Sequence, residues 1–316
     1  MRILFRGAVA LLMLMTAAWS FSEFFPGVTS KMIIMVVRAS EGLEAKTVKT
    51  EFGDVHYLEG GQGPVIVFVH GMYGSKDNWL RIVRYLKDSY RVIIVDVPGY
   101  GDNSVLSIGG YGLEQQVKRL SSIINALKLG QFHLAGNALG AQLAAMISVR
   151  NPDNVSSLAF IGGAVGVRYA LPGEPEKVLT EVKSYLLVQK RQDFHRRVNI
   201  LFPAGKPKLY RPILRAEEEK AVSSLRLNIR IWKETVDSIG KVSPLIDLAP
   251  MISQRALVLW CVEDKVYDIA GAELLAGALS RGVLVKLSGC GTVPMIDKPE
   301  ETGRALRRFL DSSDNG

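Results

Sequence analysis

The sequence predicts an α/β fold in which a mostly parallel central sheet is flanked by helices. Short continuous apolar runs, typical of strands buried on both faces of a sheet, alternate with longer segments whose apolar residues recur at helical spacing. Turns that contain Gly and Pro separate these elements. The roughly 270 residues after the apolar N-terminus are enough to bury the core of one such domain.

Residues 1–27 predict an N-terminal transmembrane anchor. The sixteen residues Gly7–Ser22 carry no charge, and at about 1.5 Å per residue they span roughly 24 Å of the ~30 Å apolar layer of a bilayer. Arg2 and Arg6 favour a cytoplasmic N-terminus, so we expect a single-pass protein of the inner membrane with its globular domain on the periplasmic side. A cleaved signal peptide, with small residues around Ala18, is the alternative.

The juxtamembrane segment 28–44 contains a second apolar stretch. Residues 32–37 are apolar and lie between Lys31 and Arg38. An amphipathic helix of this kind buries its apolar face at the membrane surface. We therefore expect an interfacial helix here.

Two strands at the start of the predicted core each end in a glycine-containing loop. The run Val65–Val69 leads into His70-Gly71-Met72-Tyr73-Gly74. The run Val92–Val95 leads into Asp96-Val97-Pro98-Gly99-Tyr100-Gly101. Helix patterns follow the two loops, at 79–86 and at 113–127.

A third strand runs into a helix through a turn of small residues. The strand is Phe132–Ala135, and the turn is Gly136-Asn137-Ala138-Leu139-Gly140. A strained strand-to-helix turn with flanking glycines is the context of the Gly-x-Ser-x-Gly nucleophile elbow. Here alanine occupies the serine position.

The C-terminal third predicts two more strands, each followed by polar residues. Ala256–Trp260 is followed by Asp264, and Val283–Leu287 is followed by a loop that contains Thr292. Cys261 and Cys290 follow the two strands at similar distances. Neighbouring parallel strands lie about 4.8 Å apart, so a disulfide is one interpretation, although we expect two unpaired, half-buried cysteines.

The motifs, in this order and spacing, resemble those of the α/β-hydrolase superfamily, and in particular membrane-anchored monoacylglycerol lipases and bacterial phospholipases A. The resemblance covers roughly residues 45–312 and implies an α/β-hydrolase fold. It divides the chain into a core at 45–165 and 251–316, and a helical cap, or lid, at 166–250. Within the cap we predict helices over Lys177–Phe194 and Glu217–Val236.

The resemblance also implies the site. Asp264 is the retained acid of the catalytic triad, Ala138 stands at the nucleophile position, where serine is lost, and Thr292 stands at the base position, where histidine is lost. The backbone N–H groups of Met72 and Leu139 are the expected donors of the oxyanion hole.

No histidine in the sequence replaces the lost base by a shift in register. The chain has four, and none follows the last predicted strand. His70 belongs to the first loop, His133 lies inside a strand, and His56 lies in an N-terminal hairpin. Only His195, in the cap, is placed to approach the site. Proton transfer near neutral pH ordinarily needs an imidazole.

Two classes of function follow. The first is a membrane-anchored pseudo-hydrolase that binds fatty acid, monoacylglycerol or lysolipid, or that regulates an active homologue. The second is a genuine carboxylic-ester hydrolase that uses Asp264 with water, or a base from a partner chain. An engineered Ser→Ala substitution would explain Ala138 but not Thr292.

The positive charge of the chain is concentrated in the cap. Residues 168–241 contain sixteen Lys and Arg against nine Asp and Glu, which accounts for most of the net charge of +8. A cap that rests on anionic lipid headgroups fits this distribution, whereas no recognised motif points to nucleic acid. The expected partners are membrane lipid and a homo- or hetero-oligomer formed through anchor and cap. No metal-ligand or phosphate-loop spacing is present, so we expect no cofactor.

Overall fold

Eight strands form one sheet in the order β1-β2-β4-β3-β5-β6-β7-β8. A computed structural model describes residues 13, 15–17, 19–168, 183–184, 186–205, 207 and 209–312. β1 pairs antiparallel with β2 and β2 with β4, and all the other pairs are parallel. The strands are β1 Glu44–Thr50, β2 Gly53–Gly60, β3 Val65–Val69, β4 Arg91–Val95, β5 Phe132–Ala138, β6 Val155–Ala164, β7 Arg255–Cys261 and β8 Gly282–Leu287.

The described helices cover both faces of this sheet. The α-helices are α1 Pro26–Ser40, α2 Leu113–Ala126, α3 Leu139–Arg150, α4 Val165–Arg168, α5 Arg191–Leu201, α6 Arg211–Ser223, α7 Leu225–Ile239, α8 Leu245–Leu248, α9 Ile269–Ala278, α10 Pro294–Asp297 and α11 Pro299–Asp311. Two 3₁₀ helices are Lys76–Tyr85 and Ala249–Met251. The predicted α/β fold with its mostly parallel sheet is confirmed.

The apolar runs become strands that are buried on both sides. In β3, Val67 and Val69 belong to one apolar cluster, while Ile66 and Phe68 belong to a second cluster on the opposite face. Successive side chains of a strand point to opposite faces, so a strand between two helical layers needs apolar residues at every position. This is why continuous apolar runs predicted β3, β4, β7 and β8 with nearly correct bounds, whereas β6 was not predicted.

Three helix predictions need correction. The segment after β3 winds as a 3₁₀ helix, Lys76–Tyr85, rather than as an α-helix over 79–86. The helix predicted over Glu217–Val236 is two helices that meet at Ser224, because α6 ends and α7 begins there. The helix predicted over Lys177–Phe194 lies partly outside the described residues, and its described end is interrupted before α5 begins at Arg191.

The N-terminal region is only partly described. The apolar stretch 32–37 is helical, as predicted, within the longer α1. Within the part of the chain that the structure describes, no helix is both long and apolar enough to cross a membrane. The predicted transmembrane helix is therefore not found there, and residues 1–12 of the predicted anchor lie outside the described residues.

The cysteines are paired, contrary to our expectation. Cys261 and Cys290 form a disulfide with their Cα atoms 5.5 Å apart, and both are fully buried. Cys261 ends β7, and its register partner on β8 is Leu287, three residues before Cys290. The parallel pairing of the two strands therefore delivers both thiols to the same edge of the sheet, where the bond joins the loop of Asp264 to the loop of Thr292.

A buried charge cluster fixes the loops that follow β3 and β4. Lys76 is 2% exposed, and its ammonium group contacts the fully buried Asp96 and, at 2.6 Å, Asp102. Asp96 also accepts a hydrogen bond from the backbone N–H of Lys76 at 2.7 Å. Asp102 in turn lies 3.8 Å from Arg38 of α1. The cluster thus connects the two loops to the N-terminal helix.

We expect Lys76→Met to lower the free energy of unfolding by about 3–5 kcal/mol, because it leaves the Asp96 carboxylate buried without its cation. Chemical denaturation of the purified protein measures this loss. Lys46→Met is the matched control, since Lys46 pairs with Glu59 at the surface at 3.1 Å and such pairs contribute less than about 1 kcal/mol. Equal losses in the two variants would contradict the role given to the buried cluster.

Candidate functional site: a strand-to-helix elbow without a nucleophile

The turn between β5 and α3 has the strained geometry of a nucleophile elbow. Ala138 has φ +51° and ψ −107°, a left-handed conformation that costs a residue with a Cβ about 1–3 kcal/mol. The surroundings enforce it. A Cβ on Gly136 would lie 2.3 Å from the carbonyl oxygen of Gly140, and one on Gly140 would lie 2.3 Å from that of Val69. The two glycines therefore let α3 begin directly against β3 and β5.

The loop after β3 lies against this elbow. A Cβ built on Gly71 would be 3.2 Å from the Cβ of Ala138, so Met72 follows a residue in contact with the elbow. Leu139 is the first residue of α3, and the first four N–H groups of a helix have no partner within it. The residue before Met72 thus lies against the residue before Leu139, near the positive end of the α3 dipole.

Asp264 and Thr292 are in direct contact. The hydroxyl of Thr292 donates to Oδ1 of Asp264 at 2.8 Å, and both side chains are buried. The same oxygen accepts backbone hydrogen bonds from Val266 at 2.8 Å and Tyr267 at 3.0 Å. Asp264 is therefore held rigidly by three donors, and threonine, which carries no titratable nitrogen, occupies the place beside it.

Asn137 joins the loop of Thr292 to the elbow. Its side-chain amide donates to the backbone carbonyls of Thr292 at 2.9 Å, Ile161 at 2.7 Å and Gly162 at 2.9 Å. Because Asn137 directly precedes Ala138, this contact brings the nucleophile and base positions together. We call the space above Ala138, bordered by the loops of Met72 and Thr292, the crevice.

No histidine nitrogen is available at this crevice. His70 is buried, and its Nδ1 donates to the carbonyl of Gly71 at 2.8 Å while its Nε2 accepts from the N–H of Val97 at 3.0 Å. A carbonyl only accepts and an N–H only donates, so these partners determine a neutral tautomer with both nitrogens occupied. Burial also lowers the pKa of His70.

The other three histidines lie away from the crevice. His133 contacts the hydroxyl of Ser157 at 2.8 Å near the start of β5, five residues before Ala138. His56 lies on β2 and contacts Thr47 at 3.2 Å. His195 is exposed on α5 and packs edge-on against Phe194, so the structure does not support the approach to the site that we considered for it.

The fold matches known proteins. A family model described as the alpha/beta hydrolase fold matches residues 64–299. The chain belongs to the α/β-hydrolase family. It is 26% identical to human monoacylglycerol lipase ABHD6 over 263 residues, which covers 81% of this chain and 77% of that protein. It is also 26% identical to Lipase 1 of Psychrobacter immobilis, with 90% of each chain covered.

Two solved α/β-hydrolase structures are close matches in three dimensions. One is a membrane phospholipase A described as a bacterial virulence factor, with a TM-score of 0.86 and 32% identity over 98% of this chain and 99% of that one. The other is a putative lipase of Acinetobacter baumannii, with a TM-score of 0.83 and 26% identity over 90% and 96% of the two chains. The predicted resemblance to lipases and phospholipases A is confirmed.

The cap of this α/β-hydrolase is tied to the crevice by a residue that sequence reasoning did not single out. Tyr73 has φ +61° and donates from its hydroxyl to the carbonyl of Asn228 on α7 at 2.8 Å. Tyr73 directly follows Met72, so this bond connects the oxyanion loop to the cap. Its position in the His-Gly-x-x-Gly loop was the available signal, but its partner lies 155 residues away.

A second overlooked residue, Asp297, supports the loop of Thr292. Its carboxylate accepts a hydrogen bond from the backbone N–H of Gly291 at 2.9 Å. Burial raises the pKa of Asp297 to about 6, and the negative charge of Asp264 adds to this rise, against the hydrogen bond from Gly291. Among the described residues, no group of three or more His, Cys, Asp and Glu side chains is arranged to hold a metal ion.

We expect Asp297→Asn to stabilise the protein at pH 7.5 and to leave it unchanged near pH 4. The pKa of the folded state lies above the ordinary value of about 3.9, so stability is complete at low pH and falls as the pH rises through about 6. Asparagine keeps an acceptor for Gly291 and removes the charge. Because the carboxyl is partly exposed, we expect a melting temperature about 2–4 °C higher, measured by thermal scans. A difference that does not vary with pH would contradict this assignment.

Proposed function

We propose that this protein is a pseudo-hydrolase of the lipase and phospholipase type, which binds an acyl lipid without hydrolysing it. The observation that carries the proposal is the hydrogen bond from Thr292 to Asp264. The family's catalytic histidine belongs at that place, and threonine supplies neither a base nor an acid near neutral pH. Ala138, in elbow geometry, supplies no nucleophile.

The loss of these groups is large in energetic terms. Removal of the serine or the histidine of such a triad lowers turnover by about 10⁶-fold, equivalent to about 8 kcal/mol of transition-state stabilisation. Asp264 does not compensate, because its Oδ1 accepts three hydrogen bonds and its role in a triad is to orient an imidazole.

The binding half of the site supports retention of a ligand. In the proposed function, the N–H groups of Met72 and Leu139 hold the carbonyl or carboxylate oxygen of an acyl lipid. The start of α3 favours a partial negative charge at the same point. Fatty acid, monoacylglycerol and lysophospholipid each carry such a group. A pocket that holds one of them serves as a lipid sensor or carrier, or regulates an active homologue.

A location at the membrane belongs to the same proposal. The segment 1–27 acts as a retained single-pass anchor, with the globular domain on the periplasmic side. In support, the described residues of the anchor and of α1 expose large apolar side chains, and Glu23 contacts the cap at Arg215. A disulfide fits an oxidising compartment. The exposed apolar side chains are Met13, Met15, Trp19, Phe21, Phe24, Phe25, Val28, Met32, Met35 and Val36.

We expect hydrolysis only after both lost groups are restored. The parent protein should neither hydrolyse p-nitrophenyl esters above background nor react with a fluorophosphonate probe. The double variant Ala138→Ser, Thr292→His should do both, because the elbow, the acid and the oxyanion donors remain in place. Adding Asp264→Ala to the double variant should lower the restored turnover.

Activity in the parent protein that disappears in Asp264→Ala would instead establish a genuine hydrolase. The ligand is tested on the same preparations by mass spectrometry of organic extracts. Acyl lipid enriched over a control protein of similar size supports lipid binding. Absence of any enrichment argues against a retained ligand, whatever the outcome of the activity assay.

We expect the full-length protein to sediment with the membrane fraction of bacterial cells and to resist extraction by high salt. External protease should digest the globular domain in spheroplasts, because that domain lies on the periplasmic side. Deletion of residues 2–27 should abolish retention by the membrane. Recovery of the parent protein at reduced mass in the soluble periplasmic extract would show that the segment is a cleaved signal peptide.

A further inference from the structure

Arg197 lies on the inner face of the cap helix α5. Phe194 precedes it by three residues, and Val198 and Leu201 follow it by one and four residues, on the same side of the helix. These three pack in an apolar cluster with Val293, from the loop of Thr292. A guanidinium on the apolar side of a helix is unusual, since arginine is seldom buried without a partner.

The preceding residue shows the ordinary arrangement. Arg196 is exposed, and its guanidinium donates to the backbone carbonyl of Ser184. The two arginines therefore have the same charge and the same helix but opposite environments. Arg196 faces solvent, whereas Arg197 is only partly exposed.

Arg197 is close to both loops that border the crevice. The end of α5 packs on the loop of Thr292, because a Cβ on Gly291 would lie 2.3 Å from the carbonyl oxygen of Leu201. Arg197 is one helical turn before Leu201. On the other side, its positive charge acts on the hydroxyl of Tyr73 in the oxyanion loop. Arg197 thus lies on the part of the cap that borders the crevice.

The described residues provide little compensation for this charge. The guanidinium lies 5.2 Å from the ring centroid of Phe194, and Glu217 attracts it only at longer range. Among the described residues, no carboxylate oxygen lies within 4.0 Å of it, and it donates no hydrogen bond. Burial lowers the pKa of Arg197, but a guanidinium stays charged in proteins. None of the described residues supplies an anion to this partly buried charge, so an anionic ligand would complete its pairing.

We propose that Arg197 binds the negatively charged head, a carboxylate or a phosphate, of the acyl lipid held in the crevice. The proposal rests on the lipid-binding function proposed for the same site. The planar guanidinium donates two parallel hydrogen bonds to either group, which makes arginine well suited to it. The crevice therefore selects acyl lipids with an anionic head over neutral ones.

Three ligands with one acyl chain test this selection on the full-length protein. Palmitate carries a carboxylate, 1-palmitoyl-glycerol-3-phosphate carries a phosphate, and 1-palmitoylglycerol is the neutral counterpart of the latter. We expect Arg197→Gln to weaken the binding of one or both anionic lipids by about 10- to 100-fold, or about 1.4–2.7 kcal/mol. The affinity for the neutral lipid should change by less than about twofold.

Two further variants control for structure and identify the interaction. Arg196→Gln should leave all three affinities unchanged, because Arg196 points away from the crevice. Arg197→Lys should restore part of the lost affinity, since it keeps the charge without the planar fork. A loss confined to palmitate identifies a fatty acid head, and a loss confined to the phosphate ligand identifies a lysophospholipid head.

An equal loss for the neutral lipid would overturn the proposal, because it would mean that Arg197 only shapes the pocket. Unchanged affinity for both anionic lipids would overturn it as well. In either case binding by the parent protein would leave the lipid-binding function standing. A parent protein that binds none of the three ligands would overturn that function and the role of Arg197 together.

Discussion

The close approach of α3 to β3 and β5 is the constraint on which the site depends. Gly136 and Gly140 leave no room for a side chain, so the chain turns from strand to helix within a few residues. Ala138 is forced into a left-handed conformation as a result. The same turn points the start of α3 at the loop of Met72, which packs against it through Gly71. The same contacts therefore set the positions of the elbow, of the loop with the expected oxyanion donor Met72, and of the start of α3.

The strained turn is present although residue 138 carries no nucleophilic group. In an active hydrolase the strain at the elbow presents a nucleophile to the substrate. Alanine has the same strain of about 1–3 kcal/mol and presents none. The packing explains why the strain has not relaxed. Any easier backbone conformation at residue 138 would displace Gly140 from β3 and with it the first turn of α3. A purely structural role therefore accounts for the geometry of the elbow.

Thr292 is held in place by its own hydrogen bond and by the contacts of its loop. Its hydroxyl satisfies Asp264, and the Cys261–Cys290 disulfide and Asp297 hold its loop in place. The cap contacts the loops that border the crevice through Tyr73 and through the packing of α5 on the Thr292 loop. Asp264 and Thr292 therefore lie at a site that has no free histidine nitrogen.

Local pattern was sufficient for most strands of the core. The strands were predictable because burial on both faces requires uninterrupted apolar residues, as in β3 and β7. The elbow was predictable because its glycines and its residue Ala138 are consecutive. Helix bounds in the cap were predicted less well, since nothing in the local pattern at Ser224 shows that packing on the core divides one helix into two.

The sequence by itself determined that this chain is an α/β-hydrolase relative, and it predicted alanine and threonine at the nucleophile and base positions. Only the tertiary structure decided which residues contact one another around these positions. It joined Thr292 to Asp264, 28 residues apart, and Tyr73 to Asn228, 155 residues apart, by hydrogen bonds. It also paired Cys261 and Cys290, which the sequence analysis predicts to be unpaired. It also left Arg196 exposed and its neighbour Arg197 only partly exposed. Such contacts join residues far apart in the chain, so no local pattern of charge or hydrophobicity encodes them.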